Sequence, residues 1–556
     1  MLFLPLDKRN ARDKARSLRI TSERHIRELG VRCLSTRNRV QDSRQQSLYR
    51  LIPPSIPPSH WEKRSMETKS SICLKCFTIQ PPSQREGEHR NILQLQDYVS
   101  LYHKNHPIRM YQELPLGLVD PLSDIIGEYS PSPVTESAQK DLRLLSLFSG
   151  GGGMDIGFEG GFICHRRSVP KDSPWIDFAL NQDWVKLKPT RFKTVFANDI
   201  FLDAKLSWAQ YMERNGEEAP HYVLESIVDL VKRHHSGENV FPENIDIVTG
   251  GFPCQDFSVA GKRKGFSSTR SHNGKTILEG GDEASVETRG MLYYWMKEVI
   301  EITKPKIFIA ENVKGLVNLS DVKDIIQKDF SSADGEGYIV LPPQVLHAGM
   351  FGVPESRERV IFIGVKRSLL KAAALKALQA EEVPAKYNPY PPYTHSPSNL
   401  NSGSLQDWVT CQEVFAALKE PKDTSDPSHR FYSQAKYMGA HCQGQKEITL
   451  TGLGPTIRAE HHGNIEFRRL SKEHGGSYLS ELEDGLEERR LTPRECALIQ
   501  TFPPDYPFVS YSSAVRKKFT VSPSAAYKVI GNAVPPILAY NIAQRLQELW
   551  PLYFTK

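Results

Sequence analysis

The chain has 556 residues, of which 39% are hydrophobic and 24% charged, enough for two or three domains with a sizeable core. No apolar run approaches a membrane span, and the apolar start MLFLPL is too short for a leader and is followed, not preceded, by basic residues. Eight scattered cysteines read as reduced intracellular thiols and exclude a disulfide-stapled scaffold. The net charge of +6 is uneven: residues 1–50 hold 13 Lys/Arg against 5 Asp/Glu, and the remainder 58 against 60. That segment is either a nucleic-acid arm or a solvated tail, and Met66 opens a more ordinary sequence that offers a second start.

Residues 1–140 form a variable, partly disordered N-terminal region interrupted by proline-rich patches such as IPPSIPPSHW. The CLKC at 73–76 is a lone Cys-x-x-Cys; zinc would need two more ligands, nothing marks His60 or His89 for that role, and no metal is expected. From 141 the pattern changes. Strand candidates are 142–148, 194–199, 246–251, 306–312, 338–346 and 359–365; helix candidates are 202–215, 225–235, 290–304 and 321–330. This alternation predicts an α/β domain over 141–365 with a mostly parallel sheet covered on both faces. Ligands of such sheets lie beyond the carboxyl ends of the strands. Residues 366–514 lack a sustained period and read as a separate irregular domain, in which patterning returns at RRLTPRECALIQTFP. Residues 515–556 carry AAYKVIGNAVPPILAYNIAQRLQELW, which ends in an amphipathic helix.

The chemistry-bearing residues fall at the strand ends. FSGGGGMDIGFEGGF (148–162) is a glycine-rich turn into a helix, but it lacks the Gly-Lys-Ser/Thr of a phosphate loop. The next strand ends in Asn198-Asp199, where a carboxylate can accept from ribose hydroxyls. The two together suggest a nucleoside cofactor held without phosphate recognition, which S-adenosyl-L-methionine fits. The strand 246–251 leads to Pro253-Cys254, and the strand 306–312 to Glu311-Asn312-Val313. Neighbouring parallel strands bring a thiol and an acid to one rim, where the thiolate attacks and the acid protonates. A lone cysteine is more often a buried small hydrophobe, the reading given to Cys164, Cys411 and Cys496. Arg357 and Arg359 start a later strand and add to the same rim.

Six ordered motifs now carry a resemblance: FSGGGGMDIGF, GGFPCQDFS, ENVKG, GVPESRER, RRLTPRECALIQTFP and VIGNAVPP. From about 141 to the end, the chain resembles the DNA (cytosine-5-)-methyltransferase family of the bacterial restriction-modification type. The resemblance implies a class I S-adenosylmethionine-dependent methyltransferase (Rossmann-like) domain and a smaller target-recognition domain, with 515–556 completing the catalytic domain. It implies that Cys254 attacks carbon 6 of a flipped cytosine, that Glu311 protonates ring nitrogen 3, and that Arg359, supported by Arg357, holds the base. Phe148, Gly150 and Gly152 should line the cofactor site, with Asp199 on the ribose, Pro253 and Leu292 against the cofactor, and Asn532 near its methionine end. Ser258, Lys262 and Arg263 should meet DNA phosphates, and Thr456 and Arg458 should lie in the recognition segment together with His461, His462 and Asn464.

Three positions depart from the family pattern. Glu355 stands where Gln is usual, and its carboxylate can pair with one arginine. Ile200 replaces the aromatic residue that usually follows the ribose-binding acid. Either Glu225 or Ser226 takes the place of the acid that meets the adenine amine. The implied partners are double-stranded DNA and a cognate restriction endonuclease acting on the same site, with no direct contact, no membrane, a monomeric state and a cytoplasmic location. An RNA-directed relative and a catalytically dead DNA-binding relative are the alternatives. The Pro-Cys turn and the large recognition region disfavour the first, and intact Cys254, Glu311 and Arg359 the second.

Overall fold

The structure, a computed structural model, describes residues 125–126, 140–214, 221–253, 291–318, 322–335, 337–397, 405–459, 465–511 and 519–555. The chain divides into Met1–Pro107 and Ile108–Lys556, and every described residue belongs to the second unit. The CLKC motif, Cys254, Ser258, Lys262, Arg263, His461, His462 and Asn464 lie outside the described residues.

The first strand, β1 (Leu142–Leu147), is the apolar run LRLLSL and is buried along almost its whole length, as suits a strand covered on both faces. It turns through glycines into α1 (Gly153–Glu159). A three-stranded antiparallel sheet follows, β2 (Ile163–His165), β3 (Ile176–Ala179) and β4 (Trp184–Leu187), in the order β2-β4-β3. The chain then re-enters the main sheet with β5 (Phe192–Asp199), α2 (Leu202–Met212), β6 (His221–Leu224), α3 (Ile227–His235), β7 (Ile247–Gly251), α4 (Leu292–Thr303), β8 (Ile307–Val313) and α5 (Val322–Ser331). Three further strands, β9 (Tyr338–Val340), β10 (Gln344–His347) and β11 (Glu358–Lys366), complete it. The main sheet has eight strands in the order β10-β11-β8-β7-β1-β5-β6, with β9 also paired to β11. Strands β6, β5, β1, β7 and β8 run parallel, whereas β11 runs antiparallel to β8.

The observed elements differ from the expected ones at identifiable residues. The run 338–346 is two strands, because Pro342 and Pro343 offer no N–H to a ladder. The expected helix 225–235 starts at Ile227, where Ser226 caps it by accepting from Val228 N at 3.3 Å. The C-terminal segment is two helices, α7 (Pro523–Asn532) and α8 (Pro536–Tyr553), parted at Ala533-Val534-Pro535. Helix α8 packs against α1: a Cβ on Gly157 would lie 2.4 Å from the Pro536 carbonyl oxygen, so only glycine permits this approach.

Between 366 and 514 the elements are short, and buried arginines tie them together around apolar residues such as Val409, Ile457, Leu491 and Ile499 of the main core. Helix α6 (Pro493–Ile499) opens with a capping box between Thr492 and Glu495. Arg489 donates to both Glu495 oxygens, at 2.9 Å each, and also reaches Glu420. Arg490 donates to the carbonyls of Ala435, Gly444, Ile465 and Lys436, which satisfies loop backbone that no ladder serves. Burial pushes the Glu495 carboxyl up, but Arg489 outweighs it, with help from His429 and the Thr492 N–H, and holds it at about 2. Its stabilisation is therefore fully present above the ordinary carboxylate range and is lost as pH falls toward about 2. Glu495→Gln should lower unfolding free energy at neutral pH by about 3–5 kcal/mol, because the buried Arg489 loses a charged partner. Denaturant titration checks this, and the deficit relative to wild type should shrink at acid pH.

Candidate active site

The site is built at the carboxyl ends of β1, β5, β7 and β8. After β1 the backbone passes through Phe148 at φ 53°, Gly150 at 55° and Gly152 at 76°. The first of these is a left-handed conformation that a bulky residue rarely takes. Ser149 N donates to the Asn198 carbonyl at 2.8 Å, and Tyr506 Oη to the Gly151 carbonyl at 2.7 Å. Gly151 is wedged against α7, since a Cβ there would meet Val529 Cγ1 at 2.5 Å, whereas a Cβ on Gly150 would meet nothing within 4 Å. The loop is therefore clamped on one side and open on the other. Behind it, the buried Asp155 accepts from Ser146 Oγ at 2.6 Å and from Trp208 Nε1 at 2.7 Å. Burial pushes its carboxyl up to about 6 against both hydrogen bonds.

Asp199 closes β5. One carboxylate oxygen accepts from Gly150 N at 3.0 Å, the other from Ile200 N at 2.7 Å and Phe201 N at 3.0 Å. Ile200, Phe201 and Leu202 are exposed beside it, and Lys528 of α7 stands 3.6 Å from the centre of the Phe201 ring. An open glycine turn, a strand-end carboxylate and exposed apolar side chains fit a nucleoside group without phosphates. Glu225 and Ser226 have other commitments: Glu225 pairs with Arg233 at 2.6 Å, and Ser226 caps α3. Asn198 holds this turn by donating to the carbonyls of Val223 and Glu225.

Strand β7 ends at Gly251, in register with Glu311 of β8. A Cβ on Gly251 would lie 2.8 Å from Glu311 Oε2, so this glycine leaves the space that the carboxylate occupies. Asn312 Nδ2 donates to the Phe252 carbonyl at 3.0 Å and so fixes the turn that leads through the half-buried Pro253 to position 254. Neither contact was evident in the sequence, although both residues lie within quoted motifs. Arg359 Nε meets Glu311 Oε1 at 2.8 Å, and both side chains are nearly buried. Burial pushes the Glu311 carboxyl above its ordinary value, outweighing the opposing charges of Arg359 and Arg357. An acid so placed can hold a proton nearer neutrality than a solvated one. Leu292 starts α4 inside the apolar cluster that includes Phe252, with Phe148 packed against it. Gly251→Ala should displace the Glu311 carboxylate and lower turnover by about 100-fold while leaving the fold intact; kcat measured beside a thermal melt checks it.

Arg357 occupies a different place from the one expected. It is 1% exposed and donates to the carbonyls of Ile457 at 3.0 Å, Gly531 at 3.0 Å and Ala533 at 2.8 Å. The reason is local: β11 begins at Glu358, so Arg357 lies before the pleat that carries Arg359 and turns back into the protein. Glu355 is fully buried, accepts from Ile457 N at 2.7 Å and lies 3.4 Å from Arg357. Thr456 Oγ1 donates to the Ser356 carbonyl, and Arg458 pairs with Glu466 at 2.8 Å. Asn532 is the exposed last residue of α7, between the two carbonyls that Arg357 holds.

This sheet, with a strand-end carboxylate beside a glycine turn and a buried acid–arginine pair at another strand end, is that of a class I S-adenosylmethionine-dependent methyltransferase. Residues 142–548 match the family described as C-5 cytosine-specific DNA methylase, and the chain belongs to that family. It is 30% identical over 418 residues to the Type II methyltransferase M.BspRI of Lysinibacillus sphaericus, covering 73% of this chain and 81% of the relative. It is 27% identical over 425 residues to M.BsuRI of Bacillus subtilis, covering 74% and 80%, and 27% identical over 425 residues to M.NgoFVII of Neisseria gonorrhoeae, covering 75% and 88%. The chain is thus a DNA cytosine-5 methyltransferase whose methyl donor is S-adenosylmethionine. Among the described residues, no helix is long and apolar enough to cross a membrane.

Proposed function

We propose that the chain methylates one cytosine within a specific duplex site through a covalent adduct on Cys254, as the modification enzyme of a restriction-modification system. The observation that carries this reading is the Glu311–Arg359 pair, 2.8 Å apart and packed against Gly251 three residues before Cys254. The Cys254 thiolate adds to carbon 6 of a cytosine turned out of the duplex, and Glu311 gives a proton to ring nitrogen 3. The proton draws the electron pair that the new carbon–sulfur bond displaces, and carbon 5 becomes nucleophilic. Arg359 holds Glu311 in place and faces the same base. Bound S-adenosylmethionine supplies the methyl group as an electrophile. Water then takes the carbon 5 proton, whose electron pair re-forms the ring double bond and expels the thiolate, while nitrogen 3 returns its proton to Glu311.

Asp199 holds the ribose hydroxyls, Phe148, Gly150, Gly152, Pro253 and Leu292 line the donor's site, and Asn532 faces its methionine end. Phe201, one residue beyond the usual place, supplies the apolar surface for the adenine ring. Ser258, Lys262 and Arg263 contact phosphates, whereas residues 366–514, with Thr456 and Arg458, read the target. The enzyme acts as a monomer in the bacterial cytoplasm, and a nuclease of the same specificity is its functional counterpart. Incubation with tritiated S-adenosylmethionine should label duplex DNA and leave tRNA unlabelled. Bisulfite sequencing of DNA from an expressing host should then show 5-methylcytosine at one short sequence; labelling of tRNA alone would overturn the reading.

A further inference from the structure

The segment Gly454–Ala459 is laced to two other parts of the chain. Gly454 N donates to the Pro354 carbonyl at 2.9 Å, and Ser356 N to the Gly454 carbonyl at 2.8 Å. Glu355 takes the Ile457 N–H and Arg357 takes the Ile457 carbonyl, so the two side chains grip both polar groups of one peptide-flanked residue. The same guanidinium then binds the carbonyls of Gly531 and Ala533, the neighbours of Asn532. Gly531 lies so close to this segment that a Cβ there would be 2.2 Å from the Arg458 carbonyl carbon. Two residues beyond Arg357, Arg359 pairs with Glu311. One buried pair thus connects the recognition segment, the end of α7 and the strand that carries the catalytic arginine.

We propose that Glu355 and Arg357 are positioning residues that couple the recognition segment to the cofactor site, so that DNA bound along 454–459 and a cofactor bound beside Asn532 favour one another. The inference rests on the functional reading above, which places DNA at Thr456 and Arg458 and the cofactor at Asn532. Movement of Ile457 is transmitted through its carbonyl to Arg357 and through its N–H to Glu355, and Arg357 carries it to the carbonyls on each side of Asn532. The Glu355 carboxylate is the more sensitive member. It is fully buried, and burial raises its pKa even against the charge of Arg357. Its removal leaves the Ile457 N–H without this acceptor, whereas a glutamine oxygen at the same place can accept it.

The test is the affinity of the full chain for S-adenosylhomocysteine, measured by calorimetry with and without a duplex carrying the site found by bisulfite sequencing. Wild type should bind it about 5–150-fold more tightly with the duplex present. Glu355→Ala should bring that ratio to about one, and Glu355→Gln should restore it in large part, since its amide oxygen can serve Ile457 N. A merely structural role would weaken both affinities alike and leave their ratio unchanged. If Glu355→Ala does not fold, Arg357→Lys, which keeps the charge but cannot reach three carbonyls, should lower the ratio in its place at saturating duplex. A wild-type ratio of one, or an undiminished ratio in the folded variant, would overturn the clasp alone. Failure of wild type to bind S-adenosylhomocysteine at all would overturn the functional reading and the clasp with it.

Discussion

Cys254→Ser should lower the methylation rate by a factor on the order of 10⁴ or more, while affinity for duplex DNA stays within about threefold. The chemistry sets the size of this effect. Carbon 5 of cytosine lies in a conjugated ring and is a poor nucleophile until carbon 6 accepts an electron pair. A thiol is partly ionised near neutrality, whereas a serine hydroxyl is not. The substitution changes one atom, so the side chain keeps nearly the same shape. Rapid-quench measurement of the first turnover, with a parallel binding titration, separates the chemical loss from any loss of recognition. A variant that methylates normally would remove Cys254 from the mechanism.

Glu311→Gln should cost about 10²–10⁴ in kcat, the range for a positioned general acid. It should also change the pH profile. Burial raises the Glu311 carboxyl above its ordinary value, so the protonated form persists to higher pH than for a solvated glutamate. The wild-type rate should therefore fall as pH rises through that raised value. Glutamine carries no titrating proton, so the alkaline fall attributed to Glu311 should vanish. The comparison is made on kcat at saturating DNA and cofactor, with a melt to show that the Arg359 partner has not destabilised the fold. An unchanged profile at a reduced rate would assign Glu311 a role in orientation only.

Strands β1, β5, β7 and β8 were legible because each is an apolar run of five to eight residues, but their order in the sheet was not. Asp199 closes β5 and Glu311 lies near the end of β8, which strand-end reasoning could locate from pattern alone. Much of the rest was not legible. Strands β2, β3 and β4 are three or four residues each, too short for alternation to stand out, and β6 is equally short. Arg357 and Arg359 stand two apart, the spacing that places side chains on one face of a strand. That inference holds only inside the strand, and β11 starts between them. The close approaches at Gly251, Gly151 and Gly531 depend on which backbones meet in space, and a glycine in a motif does not say what it makes room for. Glu355 shows the limit from the other side. Its departure from the usual residue was visible and its pairing with an arginine anticipated, but its hold on Ile457 joins residues 102 apart in the chain.

A covalent bond between the chain and its target base can be trapped. In duplex DNA with 5-fluorocytosine in place of cytosine, the ring can add the thiolate and accept the methyl group. The final step then stalls, because fluorine cannot leave carbon 5 as a proton does. Incubation with S-adenosylmethionine should yield a protein–DNA complex that survives denaturation, with the cross-link mapped by mass spectrometry to the peptide containing Cys254. A cross-link at any other residue, or ready methylation of ordinary DNA with no trapped complex on the fluorinated duplex, would rule out covalent catalysis by Cys254.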